Sequence, residues 1–296
     1  MKPRQILKGT TYLLTRRTTQ RMFLLRPSKA VNACIRYCLA LAQKRSGVAV
    51  HSVVFLSNHY HIIVTDTNGQ VPVFTEELNK LLARALNCHH GRWENFWSAG
   101  DQTSHVALTT EFAVMAKTVY ALANPTQAML VSHGKDWPGV RLFRKGGARA
   151  IKPKFFFRSE EVGGKLPDEL VLTLTPPPIG RQEQLCDDVV QKAVSAREKQ
   201  LRDRASEKRR RFLGVAAVKA QNIYRSPQSH APKRGMNPRI ACRDKWRRIE
   251  MLARLASFAE SYKEKRTEFI AGAVDVVFPA GTYQMTRQFG ARCEQL

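Results

Sequence analysis

The stretch that most constrains this fold is Val48–Val64, seventeen residues with no Lys, Arg, Asp or Glu. It is rich in β-branched residues and is interrupted near Ser57-Asn58, so it reads as two strands that need neighbours in a sheet. Thr10–Thr15 and Arg21–Leu25 read as further short strands around a polar turn. Ser28–Lys44 reads as a helix opened by Ser28 after Pro27. Apolar residues at Leu78, Leu81, Leu82, Ala85 and Leu86 give Phe74–Leu86 a helical spacing, and Glu111–Ala123 reads as another amphipathic helix. This order predicts an α+β domain, a small antiparallel-rich sheet with helices packed on it.

Charge is distributed in blocks. Residues 1–65 carry eleven Lys or Arg and no acid, and the first carboxylate is Asp66. From Arg197 to Arg254 there are 18 basic and 5 acidic residues. Together the two blocks account for nearly all of the net charge of +25. Such a balance points to a polyanion, because each phosphate neutralised by Lys or Arg releases condensed counterions. An anionic membrane is the rival partner. Neither basic region has a strongly apolar helical face beside it, and no run of about 18 uncharged apolar residues exists, so no membrane association is expected. The six cysteines form no CxxC pair, which fits a reducing cytoplasm better than a disulfide scaffold or a zinc ribbon.

Beyond residue 150 the character changes. Phe155–Phe157 and Leu170–Thr175 suggest a hairpin, and Pro176-Pro177-Pro178 followed by Gly180 reads as a stiff linker. Arg181–Arg211 is a charged helical pattern, Gln221–Pro238 is polar and extended in character, and Arg243–Phe269 is again helical. These features divide the chain into 1–150, a hairpin and Pro-rich linker at 151–180, and a basic, mainly helical extension at 181–296.

Two segments carry candidate chemistry. In Ser57-Asn-His-Tyr-His61, residues two apart on a strand project from one face, so His59 and His61 point together while Tyr60 points to the core. Two imidazoles on one strand make either a hydrogen-bonded pair or half of a metal site. In Tyr120-Ala-Leu-Ala-Asn-Pro125, Tyr120 and Asn124 are four apart and share a face of a continuous helical turn. A nucleophile beside an amide ligand is one reading of them. A core tyrosine, with Asn124-Pro125 opening the next helix, is the other.

Together these segments resemble the REP-associated tyrosine transposase branch of the single-tyrosine HUH transposases. The pattern is Asn-His-x-His ending a hydrophobic strand, followed about sixty residues later by Tyr-x-x-x-Asn-Pro. The resemblance spans roughly residues 5–145, with supporting matches at Gly9-Thr-Thr-Tyr12, Arg16-Arg17, Arg84-Ala-Leu-Asn87 and Gly91-Arg-Trp-Glu-Asn-Phe-Trp97. This chain departs from the family strand in having Ser57 before the Asn and Tyr60 between the histidines.

The resemblance implies a ferredoxin-like HUH nuclease core that cleaves and rejoins single-stranded, hairpin-bearing DNA through a covalent 5′-phosphotyrosine. It makes Tyr120 the nucleophile and His59, His61 and Asn124 the ligands of magnesium or manganese. It also implies a bacterial cytoplasmic protein at the nucleoid, working as a monomer or homodimer. Arg16, Arg17 and Arg21 are expected to track DNA beside the site, and Lys208, Arg209, Arg210, Arg211, Lys245, Arg247 and Arg248 to hold a stem or flanking duplex. Tyr224 and Trp246 are placed as base-stacking or packing residues. Alternatives are a domesticated, non-catalytic DNA-binding protein and a replication or relaxase-type HUH endonuclease, although no Walker-type GxxxxGK[ST] is present. Zinc binding by Cys88-His89-His90 is disfavoured because adjacent residues chelate one ion poorly, and Cys34 and Cys38 share a helical face suited to the core.

Overall fold

The uncharged Val48–Val64 stretch folds as the antiparallel hairpin at the centre of the main sheet. Strand β2 (Ala49–Phe55) pairs with β3 (His59–Thr65), and the Leu56 N–H donates to the His59 carbonyl at 2.9 Å across Ser57-Asn58. The interruption in the apolar run is therefore the turn. The computed structural model describes residues 3–99, 102–156, 166–180, 183–228 and 238–295, without the side chains of 183–185.

Strand β1 (Thr11–Arg17) precedes helix α1 (Lys29–Ser46), and helix α2 (Val71–His89) follows β3 and leads to β4 (Ser104–Leu108). Both β3 and β4 pair antiparallel with β1, so the central order is β2-β3-β1-β4. Local chemistry sets the helix ends. The Ser28 hydroxyl accepts from the Val31 N–H at 3.1 Å, and Gly47, in the left-handed region at φ 69°, closes α1. Asp66, the first carboxylate in the chain, is fully buried and accepts from the Gln70 and Val71 N–H groups at 2.7 and 3.0 Å at the start of α2.

Helices α1 and α2 cover one face of the sheet. Tyr12, Leu14, Tyr60 and Ile62 meet Ile35, Leu39, Phe74 and Leu78 there in the largest apolar core. The expected inward position of Tyr60 is observed, with its hydroxyl donating to Asn79 Oδ1 at 3.0 Å. Cys34 and Cys38 are likewise buried, with sulfurs 3.9 Å apart. Helix α3 (Glu111–Leu122) lies on the opposite face, capped by the Thr110 hydroxyl, which accepts from the Ala113 N–H at 3.1 Å. A short α4 (Asn124–Gln127) continues it.

Two strand readings need correction. Arg21–Leu25 is not a strand: Gln20 and Arg21 have φ of 48° and 61°, forming a 3-10 turn at Thr19–Arg21, and the following residues pack as irregular chain against the β2–β3 turn. The later hairpin pairs β6 (Gly146–Ile151) with β7 (Glu169–Leu174), after a two-residue β5 (Arg141–Leu142). Phe155 and Phe156 lie past β6, and Phe157 lies outside the described residues. Strand β7 also pairs in parallel with β2 at Val50, extending the main sheet.

Helix α5 (Glu183–Glu207) lays Cys186, Val190 and Val194 against Ala121 and Leu122, so α3 is held between the sheet and α5. Helix α6 (Val215–Ala220) follows. The expected extended segment Gln221–Pro238 is loop and turn through residue 228, and its remainder up to 237 lies outside the described residues. Strand β8 (Ile240–Ala241) pairs with the free edge of β4 and leads into α7 (Lys245–Ile270). A small cluster beyond it joins β9 (Val277–Phe278), α8 (Gln284–Phe289) and β10 (Arg292–Cys293) to Tyr262 and Phe269 of α7. No described helix is long and apolar enough to cross a membrane.

Candidate active site and nucleic-acid interface

Register places the polar residues of β1 and β3 together. Thr15 lies opposite His61 and Arg17 opposite His59, and directly paired residues share a face. These four therefore project toward α3, while Arg16 and Tyr60 project the other way. The two imidazoles meet edge to face with ring centroids 4.9 Å apart.

Each ring is held by a hydrogen bond. His59 Nδ1 lies 2.7 Å from Asn58 Oδ1, while Asn58 Nδ2 donates to the Arg21 carbonyl at 3.1 Å, which turns the amide oxygen toward the imidazole. His59 thus donates from Nδ1 and keeps a lone pair on Nε2. His61 Nδ1 is 3.0 Å from Thr15 Oγ1. Burial, with Arg17 and Arg21 adding positive charge, pushes His59 down to about 4. Burial does the same to His61, aided by His59, Lys117 and Arg17, and carries it well below the ordinary histidine range. Both rings are therefore neutral at pH 7 and available as ligands.

Helix α3 brings the other two residues. The Tyr120 ring lies edge to face on His61 at 5.3 Å, and Asn124 Nδ2 lies 3.4 Å from His61 Nε2. Ala123 keeps helical dihedrals (φ −85°, ψ −1°) across the α3–α4 junction, which preserves the shared face expected from the four-residue spacing. Pro125 stands in the first turn of α4, where its missing N–H costs nothing. Lys117, one turn before Tyr120, places Nζ 5.6 Å from the centre of the tyrosine ring. Apolar contacts of Ala113 and Val114 with Leu13 and Ile63 hold α3 on the sheet.

His59, His61, Tyr120 and Asn124 therefore converge from β3 and the α3–α4 junction. Three further residues, Thr15, Asn58 and Lys117, complete the setting. Asn58 was already visible beside the histidines, and Lys117 stands at helical spacing from Tyr120, but the place of Thr15 depends on a strand register that spacing does not give. Among the described residues, no group of three His, Cys, Asp or Glu could hold a metal. A cation here needs the amide of Asn124 beside the two imidazoles. Cys88 is exposed, His89 stacks on Phe155 at 4.5 Å and His90 bonds the Leu24 carbonyl at 2.9 Å, so these three do not converge on one point.

The basic residues divide among several locations. Arg17 and Arg21 lie close enough to His59 to depress it. Arg16 instead packs 5.5 Å over Trp97 on the α2 side and reaches Thr103 Oγ1 at 3.4 Å. Lys208, Arg209, Arg210 and Arg211 are exposed just beyond α5, where Leu213 and Gly214 bond the carbonyls of Met129 and Leu130 after α4. Lys245, Arg247 and Arg248 are exposed on the first turns of α7. Trp246 is 75 % exposed and does not pack between helices, whereas Tyr224 sits under Arg92 at 5.6 Å.

No family model and no curated protein matches this chain. Among solved structures, a REP-associated tyrosine transposase bound to a REP hairpin aligns at 20 % identity and a TM-score of 0.40, covering 46 % of this chain and 78 % of that one. A candidate transposase from Deinococcus radiodurans R1 aligns at 19 % identity and a TM-score of 0.28, covering 37 % of this chain and 85 % of that one. At such scores the similarity by itself assigns neither fold nor activity.

Proposed function

We propose that this chain is a divalent-metal-dependent transposase-type endonuclease that cleaves and rejoins single-stranded DNA through Tyr120. The observation that carries this reading is the convergence of His59, His61, Asn124 and Tyr120 on one face of the sheet, within 3.4 Å for the His61–Asn124 pair and 5.3 Å between the His61 and Tyr120 rings. The strand order β2-β3-β1-β4, with α1 and α2 as the two crossovers on one face, supports a ferredoxin-like βαββαβ core beneath it.

The residues fit a cation. Two neutral imidazoles with their Nδ1 atoms engaged leave Nε2 lone pairs, and the Asn124 amide supplies an oxygen once its terminal torsion turns over. The amide oxygen suits magnesium or manganese, and of the two the imidazole nitrogens favour manganese. When bound, such an ion would neutralise charge on a non-bridging oxygen of the scissile phosphate. Arg17 and Arg21 would hold flanking phosphates.

The Tyr120 oxygen attacks the phosphorus, the bond from phosphorus to the 3′ oxygen breaks, and the 3′ oxygen takes up a proton to leave as a hydroxyl. The phenol proton passes to solvent, with the Lys117 ammonium favouring the phenolate electrostatically. Because the phosphotyrosyl ester conserves the bond, a second 3′-hydroxyl can reverse the step and join strands without a nucleotide cofactor.

A pool of labelled single-stranded hairpin oligonucleotides, incubated with magnesium or manganese and run on denaturing gels, tests this reading. A metal-dependent covalent adduct is expected with wild type and none with Tyr120→Phe. An adduct of equal yield from the variant removes Tyr120 from the mechanism. DNA binding without any adduct favours the non-catalytic binding protein.

A further inference from the structure

A cavity of about 440 Å³ lies at the β4–β8 edge of the sheet, between the N-terminal segment and α7. Its place in the sheet separates it from Tyr120. Within it, His105 and Tyr12 stand opposite Leu14 and Ala107, and so point to the face away from His61. Among the described residues that line it are four arginines, Arg4, Arg239, Arg247 and Arg254, and no acid.

The walls are built rather than incidental. Arg239 donates to the Pro3 carbonyl at 2.8 Å, which ties β8 to the N-terminal segment, and Arg4 bonds the His105 ring. Arg4 is depressed first by burial and then by the like charge of Arg239, so two cations stand close together in a half-dry setting. Among the described residues, Arg254 meets Glu250 at 2.7 Å, while Arg4 and Arg247 form no ion pair. His105 Nε2 is buried without a hydrogen-bond partner. Guanidinium groups lining one cavity match what an oxyanion with several acceptor oxygens would satisfy. The volume falls in the ~300–1,000 Å³ range of small-molecule sites, larger than a bare ion needs, and Leu7 and Met251 supply apolar wall.

We propose that this cavity binds a phosphate ester of nucleotide size, its phosphate on the four arginines and its apolar part against Leu7 and Met251. The phosphate can come from a free nucleotide or from one unit of a DNA strand.

The test reads binding without divalent metal, so its outcome is independent of chemistry at Tyr120. Inorganic phosphate and dTMP are titrated calorimetrically, and a short labelled single strand is followed by anisotropy across a salt series. The variant is Arg247→Gln with Arg254→Gln, both on the exposed surface of α7 and safe for folding, and Arg4→Gln probes the deeper wall. If the source is a free nucleotide, dTMP affinity falls about tenfold or more for each guanidinium removed. If the source is a strand, dTMP binds weakly or not at all and the salt dependence of strand binding flattens by about 0.7 per lost contact. Lys263→Gln with Arg266→Gln, farther along α7, leaves both readouts unchanged in either case. Unchanged dTMP and strand binding in the cavity variants, or an equal loss in the distal pair, overturns the proposal.

Discussion

Strands β1 and β3 present two faces built from alternate residues of the same segments, and the faces differ in kind. Toward α1 and α2 stand Tyr12, Leu14, Tyr60 and Ile62, all buried in the main core. Toward α3 stand Leu13 and Ile63, also buried, but then Thr15, His61, Arg17 and His59 in the direction of the β2–β3 turn. One face is apolar except for Arg16, which packs over Trp97 at its end. The other is apolar at the Leu13–Ile63 pair and polar at Thr15, His61, Arg17 and His59, and α3 bridges the change by burying Ala113 and Val114 at one end and presenting Tyr120 at the other. The pleat thus lets two short strands anchor a core and carry reactive groups without either task displacing the other.

The sharpest test of that division is Tyr120→Phe. It is expected to abolish the covalent adduct while moving the thermal midpoint little, because the hydroxyl of this half-exposed ring has no hydrogen bond among the described contacts; denaturing gels and calorimetry on one sample read both. On the closed face, Tyr60→Ala is expected to cost about 3–5 kcal/mol of stability in urea unfolding. A loss of activity from Tyr60→Ala under conditions where the protein remains folded would show that the faces are coupled.

Asn58→Ala should act through His59. Removing the amide that fixes the ring is expected to weaken metal affinity or cleavage about 10–100-fold, measured as the metal concentration for half-maximal adduct yield. Unaltered metal dependence would leave Asn58 a role in the turn alone.

The smallest effect is expected at His105, which burial and then Arg4 hold down to about 3 in the folded protein. The unfolded chain titrates near ~6.5, so between these values the unfolded state binds more protons. Its contribution to stability is complete above the unfolded value and is lost as pH falls toward about 3. Urea midpoints compared at neutral and mildly acidic pH should therefore drop less in His105→Gln than in wild type. His51, His59, His61 and His90 shift in the same direction and keep part of the drop.

Much of this arrangement was legible in the residues. The two-residue alternation of His59-Tyr60-His61 separated the ring that packs from the rings that project, and the spacing of Tyr120 and Asn124 survived because Ala123 remains helical. Other parts depended on tertiary pairing. Gly146-Gly147 has little intrinsic preference for a strand, yet β6 forms because β7 supplies its partner across six registered pairs, Gly146↔Leu174 through Ile151↔Glu169. The left-handed dihedrals of Gln20 and Arg21 carry no glycine to announce them. Trp246 illustrates the converse, since an aromatic within a helical pattern stands 75 % exposed, with the Lys245 ammonium 5.7 Å from the centre of its ring.

The two-residue turn at Ser57-Asn58 also bears on the order in which the chain acquires its shape. Around β1 every partner is remote in sequence: Thr11 pairs with Thr65 on one side and with Leu108 on the other. On its outer side β2 waits for Arg141, Leu142 and Leu174. Among the paired neighbours of the four central strands only β2 and β3 are consecutive in the chain, so closing them costs little loop entropy, whereas the distant pairings must recover a larger entropic penalty before they stabilise anything. The hairpin is thus the natural nucleus of the sheet, and the two histidines are set side by side before the helix that carries Tyr120 can dock above them.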